Sequence, residues 1–325
     1  MVSGIKPTGA LHVGNYFGAM KQFIEQAGNY ETYIFIADLH AIISVQNGAE
    51  LRANVLNVAI DYLAAGLDPK KATIFVQSQV PAHTELAWIF NCITTMPYLM
   101  RAHAFKDAEA KNKEINVGVF DYPLLMAADI LLYGAHVVPV GQDQKQHLEI
   151  AKDTAQKFNR IFSPGIPVFE EPEPLILPDV GVVPGTDGQK MSKSYNNTIG
   201  LFATDEEIRT AVMKIPTDSK GVADPKDPET CKVFAIHKLF ATKEELESLR
   251  NRYMVTNGAQ GIGYKESKDL LVGYASRFIT PMRERRAKIA ANPKKVMKML
   301  EKGNKKAQKV TEKMMERVRE AVGLR

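Results

Sequence analysis

Over its first 140 residues this chain alternates short apolar runs with stretches long enough for a helix, and that alternation restricts the fold more than any other feature. Strand-like runs occupy Val2–Ile5, 32–37, 73–77 and 136–140, and a helix is expected from about residue 15 to 26 after the first. Such a pattern gives an α/β, Rossmann-like parallel sheet, whose ligands collect outside the carboxyl ends of the strands. His12 to Asn15 follow the first run, Asp38 to His40 the second, Gln79 to His83 the third and Gly141 to Gln144 the fourth. From Thr204 onward strand patterns stop. Thr204 with Glu207, and Thr242 with Glu245, have the form of helix-opening capping boxes. The expected division is a Rossmann-type domain over 1–200 and a helical C-terminal domain over 201–325.

With 325 residues, 45% of them hydrophobic, the chain can bury a substantial core. Cys92 and Cys231 are far apart and neither forms a CxxC pair, so neither a disulfide framework nor a zinc site is expected. No apolar run reaches the roughly 18 residues of a membrane span, and the first motif leaves no room for a signal peptide. A cytoplasmic protein without membrane contact is expected.

The net charge of +5 is unevenly spread: residues 281–325 hold 15 Lys and Arg against 5 Asp and Glu. A basic end on a mildly acidic body suits contact with phosphates; a solvated helix face is the plainer reading. Val296, Leu300, Ala307, Val310, Met314 and Val318 recur at helical spacing and predict one apolar face with lysines opposite. The Pro- and Gly-rich stretch 161–188 has no helical period and reads as a mobile connection.

Two segments carry chemistry. In the turn His12-Val-Gly-Asn15, free amides at a helix start attract anions, Gly14 allows close approach, and His12 and Asn15 add donors. In Lys190-Met-Ser-Lys-Ser194, two ammonium groups three positions apart sit beside hydroxyls, a set suited to neutralising a triphosphate as pyrophosphate leaves. Each alone is consistent with ordinary architecture; both together, flanking a sheet pattern, point to one ATP site.

Those two segments resemble the signature turn and loop of class I aminoacyl-tRNA synthetases. The stretches 121–133, with Met126-Ala-Ala-Asp129, and 138–149, with Gly141-Gln-Asp-Gln144, resemble the amino-acid pocket of the bacterial-type tryptophanyl-tRNA synthetases. The resemblance spans essentially the whole chain. It implies activation of L-tryptophan with ATP, transfer to tRNA(Trp), and a homodimer. It places Lys6, Pro7, Thr8, Gly14 and Asn15 on one side of ATP and Gly141, Gln142 and Asp143 around the ribose. Lys190, Met191, Ser192, Lys193 and Ser194 close over the phosphates, with His12, Asn15, Lys190 and Lys193 as the catalytic set. Magnesium is expected on the nucleotide, with no protein metal ligand.

For tryptophan, the resemblance assigns Asp129 to the indole N–H, with Met126, Val138, Val140 and Gly4 around the ring. Tyr122 and Gln144 hold the ammonium group, and His40 stands close by. Read from its apolar helix alone, Asp129 needs a donor, either an indole or a neighbouring side chain. His83 is expected to be a cap or interface residue, and Trp88 a core or subunit contact. Three positions depart from the family pattern: Lys6 stands where Gln is frequent, Ala108 where a lysine is expected (Lys111 or Lys113 being substitutes), and Val2 where an aromatic is frequent. The rival readings are a tyrosine-activating enzyme, a small-acid or nucleotidyl ligase, and a catalytically silent RNA-binding relative.

Overall fold

The computed structural model describes residues 1–110, 115–139, 145–175 and 182–324. Val140 to Gln144, Lys111 and Lys113 lie outside the described residues, as does the side chain of Ala108. The chain forms two compact units. One comprises Met1–Gly9, Gln22–Asp179 and Asn292–Arg325; the other comprises Ala10–Lys21 and Val180–Ala291.

In the first unit, β1 (Val2–Ile5), β2 (Thr32–Ile36) and β3 (Ala72–Val76) form a parallel sheet in that order, with Gly4 opposite Phe35 and Ile34 opposite Ile74. Every residue of β2 and β3 is buried, as expected of β-branched and aromatic runs in a covered parallel sheet. The fourth expected strand is shorter than its apolar run. Among the described residues, β4 (Val137–Pro139) hydrogen-bonds to β5 (Glu173–Leu175), in parallel register, and not to this sheet. The stretch 161–188 is therefore not merely a connection, since its Glu173–Leu175 portion is strand.

Four long helices are among those of this unit that precede β5. In α1 (Gly48–Ala65), Asn47 accepts from the amides of Ala49 and Glu50 and Gly66 ends the helix at φ 110°. In α2 (Ala82–Ile93), α3 (Val117–Leu131) and α4 (Lys145–Phe162), Leu86, Phe90, Leu124, Leu131, Ala151 and Phe158 join Phe35 and Phe75 in one core.

The second unit is helical. Its elements are α5 (Asp205–Met213), α6 (Lys232–Phe240), α7 (Lys243–Met254) and α8 (Tyr264–Ala290), and the capping boxes at Thr204 and Thr242 are both formed. Glu245 also receives a bidentate pair from Arg277, both contacts at 2.7 Å. The expected Rossmann-like α/β architecture with a helical C-terminal region is thus present.

The last helix, α9 (Pro293–Val322), returns to the sheet unit. Its buried stripe is Val296, Leu300, Gly303, Ala307, Thr311, Met315 and Val318, whereas Val310 and Met314, expected in it, lie at its partly buried margin. The shift has a steric cause: a Cβ at Gly303 would collide with the Ile74 carbonyl, so the helix meets β3 most closely where it has no side chain. Next to that contact, Asn304 Oδ1 accepts from the Val76 amide at 3.0 Å. Just past the strand, Gln308 donates to the Gln79 carbonyl. The helix covers an edge strand and meets its backbone groups.

Candidate active site

The helix expected at residue 15 opens two residues earlier, at Val13, and passes through a π-helical turn, Tyr16–Met20, before Lys21–Gln26. His12 is extended (φ −121°), and its amide donates to Asn15 Oδ1 at 2.9 Å. Asn15 thus spends its carbonyl on its own turn, leaving its amide nitrogen as the donor it can offer an anion. At Gly14 a Cβ would lie 2.8 Å from His12 Nδ1 and 3.1 Å from Met191 Cβ. The glycine is required there for room. Burial pushes the His12 imidazole down to about 4, helped by the charge of Lys193, so the ring is neutral near pH 7.

The lysine loop is built by a residue outside it. Asn197, buried, accepts from the Ser192 amide at 2.7 Å and donates to the Lys190 carbonyl at 3.0 Å and to Asp187 Oδ1 at 2.7 Å. Lys193–Tyr195 forms a 3-10 turn ended by Asn196 in the left-handed region. Met191 points inward, buried with Val13 and Ile199. The Lys190 and Lys193 residues are exposed. The two segments meet: the Gly14 amide donates to Met191 Sδ at 3.2 Å, the Val13 amide to the Ile199 carbonyl at 2.9 Å, and the Leu201 amide to the Leu11 carbonyl at 3.0 Å. The Asn15 and Tyr16 amides turn back to the His12 carbonyl at 2.8 and 3.3 Å, so the amides expected to be free are spent on the turn itself; the turn and the two-lysine loop, 177 positions apart, share one unit.

In the sheet unit, a second constellation surrounds Asp129, 1% exposed. Both sources of a donor were open from sequence, and neighbouring side chains supply three. His40 Nε2 lies 2.8 Å from Oδ2, while His83 Nδ1 at 2.6 Å and Gln77 Nε2 at 2.7 Å meet Oδ1. Burial alone would raise this carboxyl; the hydrogen bonds and charges of His40 and His83 outweigh it and hold it at about 2. His40 and Gln77 follow the carboxyl ends of β2 and β3, and His83 lies in α2; Asp38 accepts from the Ser78 amide at 2.9 Å and braces the short helix, Asp38–Ile42, that carries His40. His83, expected to be a cap or interface residue, is instead buried between Asp129 and the Tyr133 hydroxyl at 2.9 Å.

Tyr122 completes this constellation. Its hydroxyl is 2.7 Å from His147 Nε2, its ring stands edge-on to His40, and the Lys6 ammonium lies 5.1 Å over it. Desolvation there lowers the Lys6 pKa, and Asp129 partly offsets the fall. Around Asp129, buried His40 Nδ1 and Gln77 Oε1 have no hydrogen-bond partner among the described residues. Unpaired buried polar atoms call for a ligand or water. Of the other expected residues, Val138 is in the core, Met126 is half-buried beside it, and Gly4 stands where a Cβ would come 2.7 Å from the Phe35 ring. Pro7 is buried and Thr8 exposed. Among the described residues, no three His, Cys, Asp or Glu side chains gather as a metal-binding group, and no helix is long and apolar enough to cross a membrane.

The family model of tRNA synthetases class I (W and Y) matches residues 1–291. The chain belongs to this family. It is 46% identical over 323 residues to a tryptophan–tRNA ligase of Fusobacterium nucleatum, covering 99% of this chain and 97% of the relative. It is 45% identical to one of Rhodopirellula baltica, covering 100% and 99%. A crystal structure of tryptophanyl-tRNA synthetase from Campylobacter jejuni, complexed with ADP and tryptophan, matches with a TM-score of 0.89 at 40% identity over 99% of each chain.

Three residues of this synthetase were not singled out from sequence. Asn197 shapes the lysine loop from three positions beyond it, Gln77 completes the Asp129 shell, and His147 holds Tyr122. Only His147 lies within a stretch that resembles the family's pocket; a lone Gln or Asn carries no signal until its partners are known.

Proposed function

We propose that this synthetase is a tryptophan–tRNA ligase, joining L-tryptophan to AMP from ATP and passing it to tRNA(Trp). The observation that carries the reading is the meeting of the Gly14 turn with the Lys190–Ser194 loop. The tryptophan carboxylate attacks the α-phosphorus in line, the new C–O–P bond forms, and the bond to pyrophosphate breaks. Lys190 and Lys193 stabilise the charge that develops, so positioning and electrostatics do the catalysis. His12, neutral, and the Asn15 amide act as donors. ATP enters with Mg²⁺ on its phosphates. A terminal ribose hydroxyl of the tRNA then attacks the acyl carbon and AMP leaves.

The Asp129 constellation is assigned to the amino acid. An ionised carboxylate has about four acceptor sites; His40, His83 and Gln77 use three, which leaves Oδ2 one for an indole N–H. Tyr122, and Gln144 outside the described residues, are assigned to the ammonium group, and Met126, Val138, Val140 and Gly4 to the ring. Lys6, Pro7 and Thr8 are assigned to ATP, with Gly141, Gln142 and Asp143, also outside the described residues, on its ribose. Residues 1–200 are read as the catalytic domain and 201–325 as the region that meets the tRNA anticodon arm. A second copy of the chain is proposed to cover Trp88 (69% exposed), Met96 and Val117, making a homodimer. The enzyme is read as cytoplasmic, as membership of the family implies.

Pyrophosphate exchange across the amino acids tests the reading. Exchange with tryptophan is expected and exchange with tyrosine is not; the reverse would overturn the specificity. Asp129→Asn should raise the KM for tryptophan far more than that for ATP, and equal losses would remove the role given to Asp129.

A further inference from the structure

The lysines of α9 are arranged at a cost. Lys295, Lys298, Lys302, Lys306, Lys309 and Lys313 recur three or four positions apart, so they share one side of the helix beside its buried stripe. Like charges at that spacing repel and weaken a helix. The first turn has no acidic residue, and Lys295 within it adds to the positive helix end. Glu31 lies 3.7 Å from Lys306 Nζ, and Glu301, Glu312 and Glu316 follow Lys298, Lys309 and Lys313 by three positions.

This stripe is also the wall of a cleft. A cavity of 610 Å³ lies between α9 and the start of β3, lined by Lys295, Lys298, Lys302 and Lys306 on one side and by Lys70 and Lys71 on the other, with Pro69 and Ile74 between. Lys70 and Lys71 belong to the turn before β3, more than 200 positions away in sequence, so the fold has gathered cations that the sequence keeps apart. These six lysines are exposed, and the fold gathers their charge at one accessible cleft.

We infer that this cleft is a docking surface for the phosphodiester backbone of the tRNA, an inference that rests on the transfer step proposed above. Charge complementarity selects a polyanion, and dimensions select its form. Lys295 to Lys313 extends about 27 Å at 1.5 Å per residue, long enough to meet several successive phosphates of one strand. A single small anion would engage only one or two of these lysines. A planar lipid surface does not enter a concave cleft.

The test is tRNA binding by the full-length protein at salt concentrations from about 50 to 200 mM, read beside tryptophan-dependent pyrophosphate exchange, which needs no tRNA. With about six phosphate contacts, the wild-type log–log slope is expected near −4 to −5. Lys302→Gln should lower it by about one. The charge reversals Lys298→Glu with Lys302→Glu, and Lys70→Glu with Lys71→Glu, should weaken binding at least tenfold at the lower salt. Exchange should be unchanged, and melting temperature no lower, since repulsion is removed. If wild type charges tRNA and Lys302→Gln keeps its affinity and slope, the cleft is overturned and the ligase reading stands. A wild-type protein that activates tryptophan yet binds no tRNA overturns both the cleft and the transfer step. Absence of tryptophan activation strikes the ligase reading, while an unaltered salt slope strikes only the cleft.

Discussion

The amide of Gly14 donates to the sulfur of Met191 at 3.2 Å, and so the turn that carries His12 and Asn15 is tied to the middle of the loop that presents two lysines. Met191 is the buried residue of that loop, packed with Val13 and Ile199. The apolar side chain anchors the loop while its charged neighbours stay outside. Phosphate chemistry at this site therefore depends on a packing contact.

Gly14→Ala is expected to disturb that contact. The added methyl lies within 3 Å of the His12 ring and close to Met191 Cβ, distances at which something must move. Misplacement on the order of 1 Å costs about 10²-fold in rate. Pyrophosphate exchange should fall by about that factor with a small change in melting temperature. A variant as active as wild type would show that the ring and loop yield freely.

Gln77→Leu removes one of three donors from a buried carboxylate. Leaving a buried acceptor short of a partner costs about 1–3 kcal/mol. Urea unfolding should show a loss in that range, together with a raised KM for tryptophan and little change for ATP. An unchanged KM for tryptophan would mean that this shell serves only stability.

Buried histidines set an acid limit. His237 donates through Nε2 to the Ser267 carbonyl at 3.0 Å, and burial lowers its pKa from 6.5 to about 4. Between those values the unfolded chain holds a proton that the folded protein refuses, so stability is lost as pH falls from about 6.5 to 4 and is independent of this group above 6.5. His12 shifts in the same direction. Asp129, depressed from 3.8 to about 2, acts lower: its contribution is complete above about 3.8 and is lost as pH falls toward 2. Melting curves from pH 7 to 4 should fall less steeply for His237→Gln than for wild type; identical slopes would exclude His237 as a contributor.

Gly303→Ala places a methyl against the Ile74 carbonyl, where backbone must shift to accept it. Overpacking of this kind costs about 1–3 kcal/mol. Asn304→Ala leaves the Val76 amide without its acceptor and is expected to cost a similar amount. Denaturant titration of both variants, with Lys305→Ala as an exposed control, checks whether the last helix holds the sheet edge.

Most of the architecture could be read in one dimension because its causes are local. β-branched runs at 32–37 and 73–77 prefer extended backbone, and Thr204 and Thr242 each satisfy amides only a few residues away, so strands and caps fall within a residue or two of expectation. The exceptions involve partners that a linear pattern does not encode. β4 turns to β5, and the apolar stripe of α9 rotates toward Gly303, because each is set by the backbone it meets.

The same distinction holds for the site. Sequence alone determined which side chains are able to do the chemistry: a glycine turn with His12 and Asn15, two lysines on a loop, and an acid at Asp129 inside an apolar helix. Tertiary structure decided who holds them. Asn197 shapes the loop, His40, Gln77 and His83 share one carboxylate, and Lys70 comes to face Lys302 across a cleft. Hydrogen bonds and fields act over a few ångströms of space, and only folding converts separations of tens or hundreds of residues into such distances.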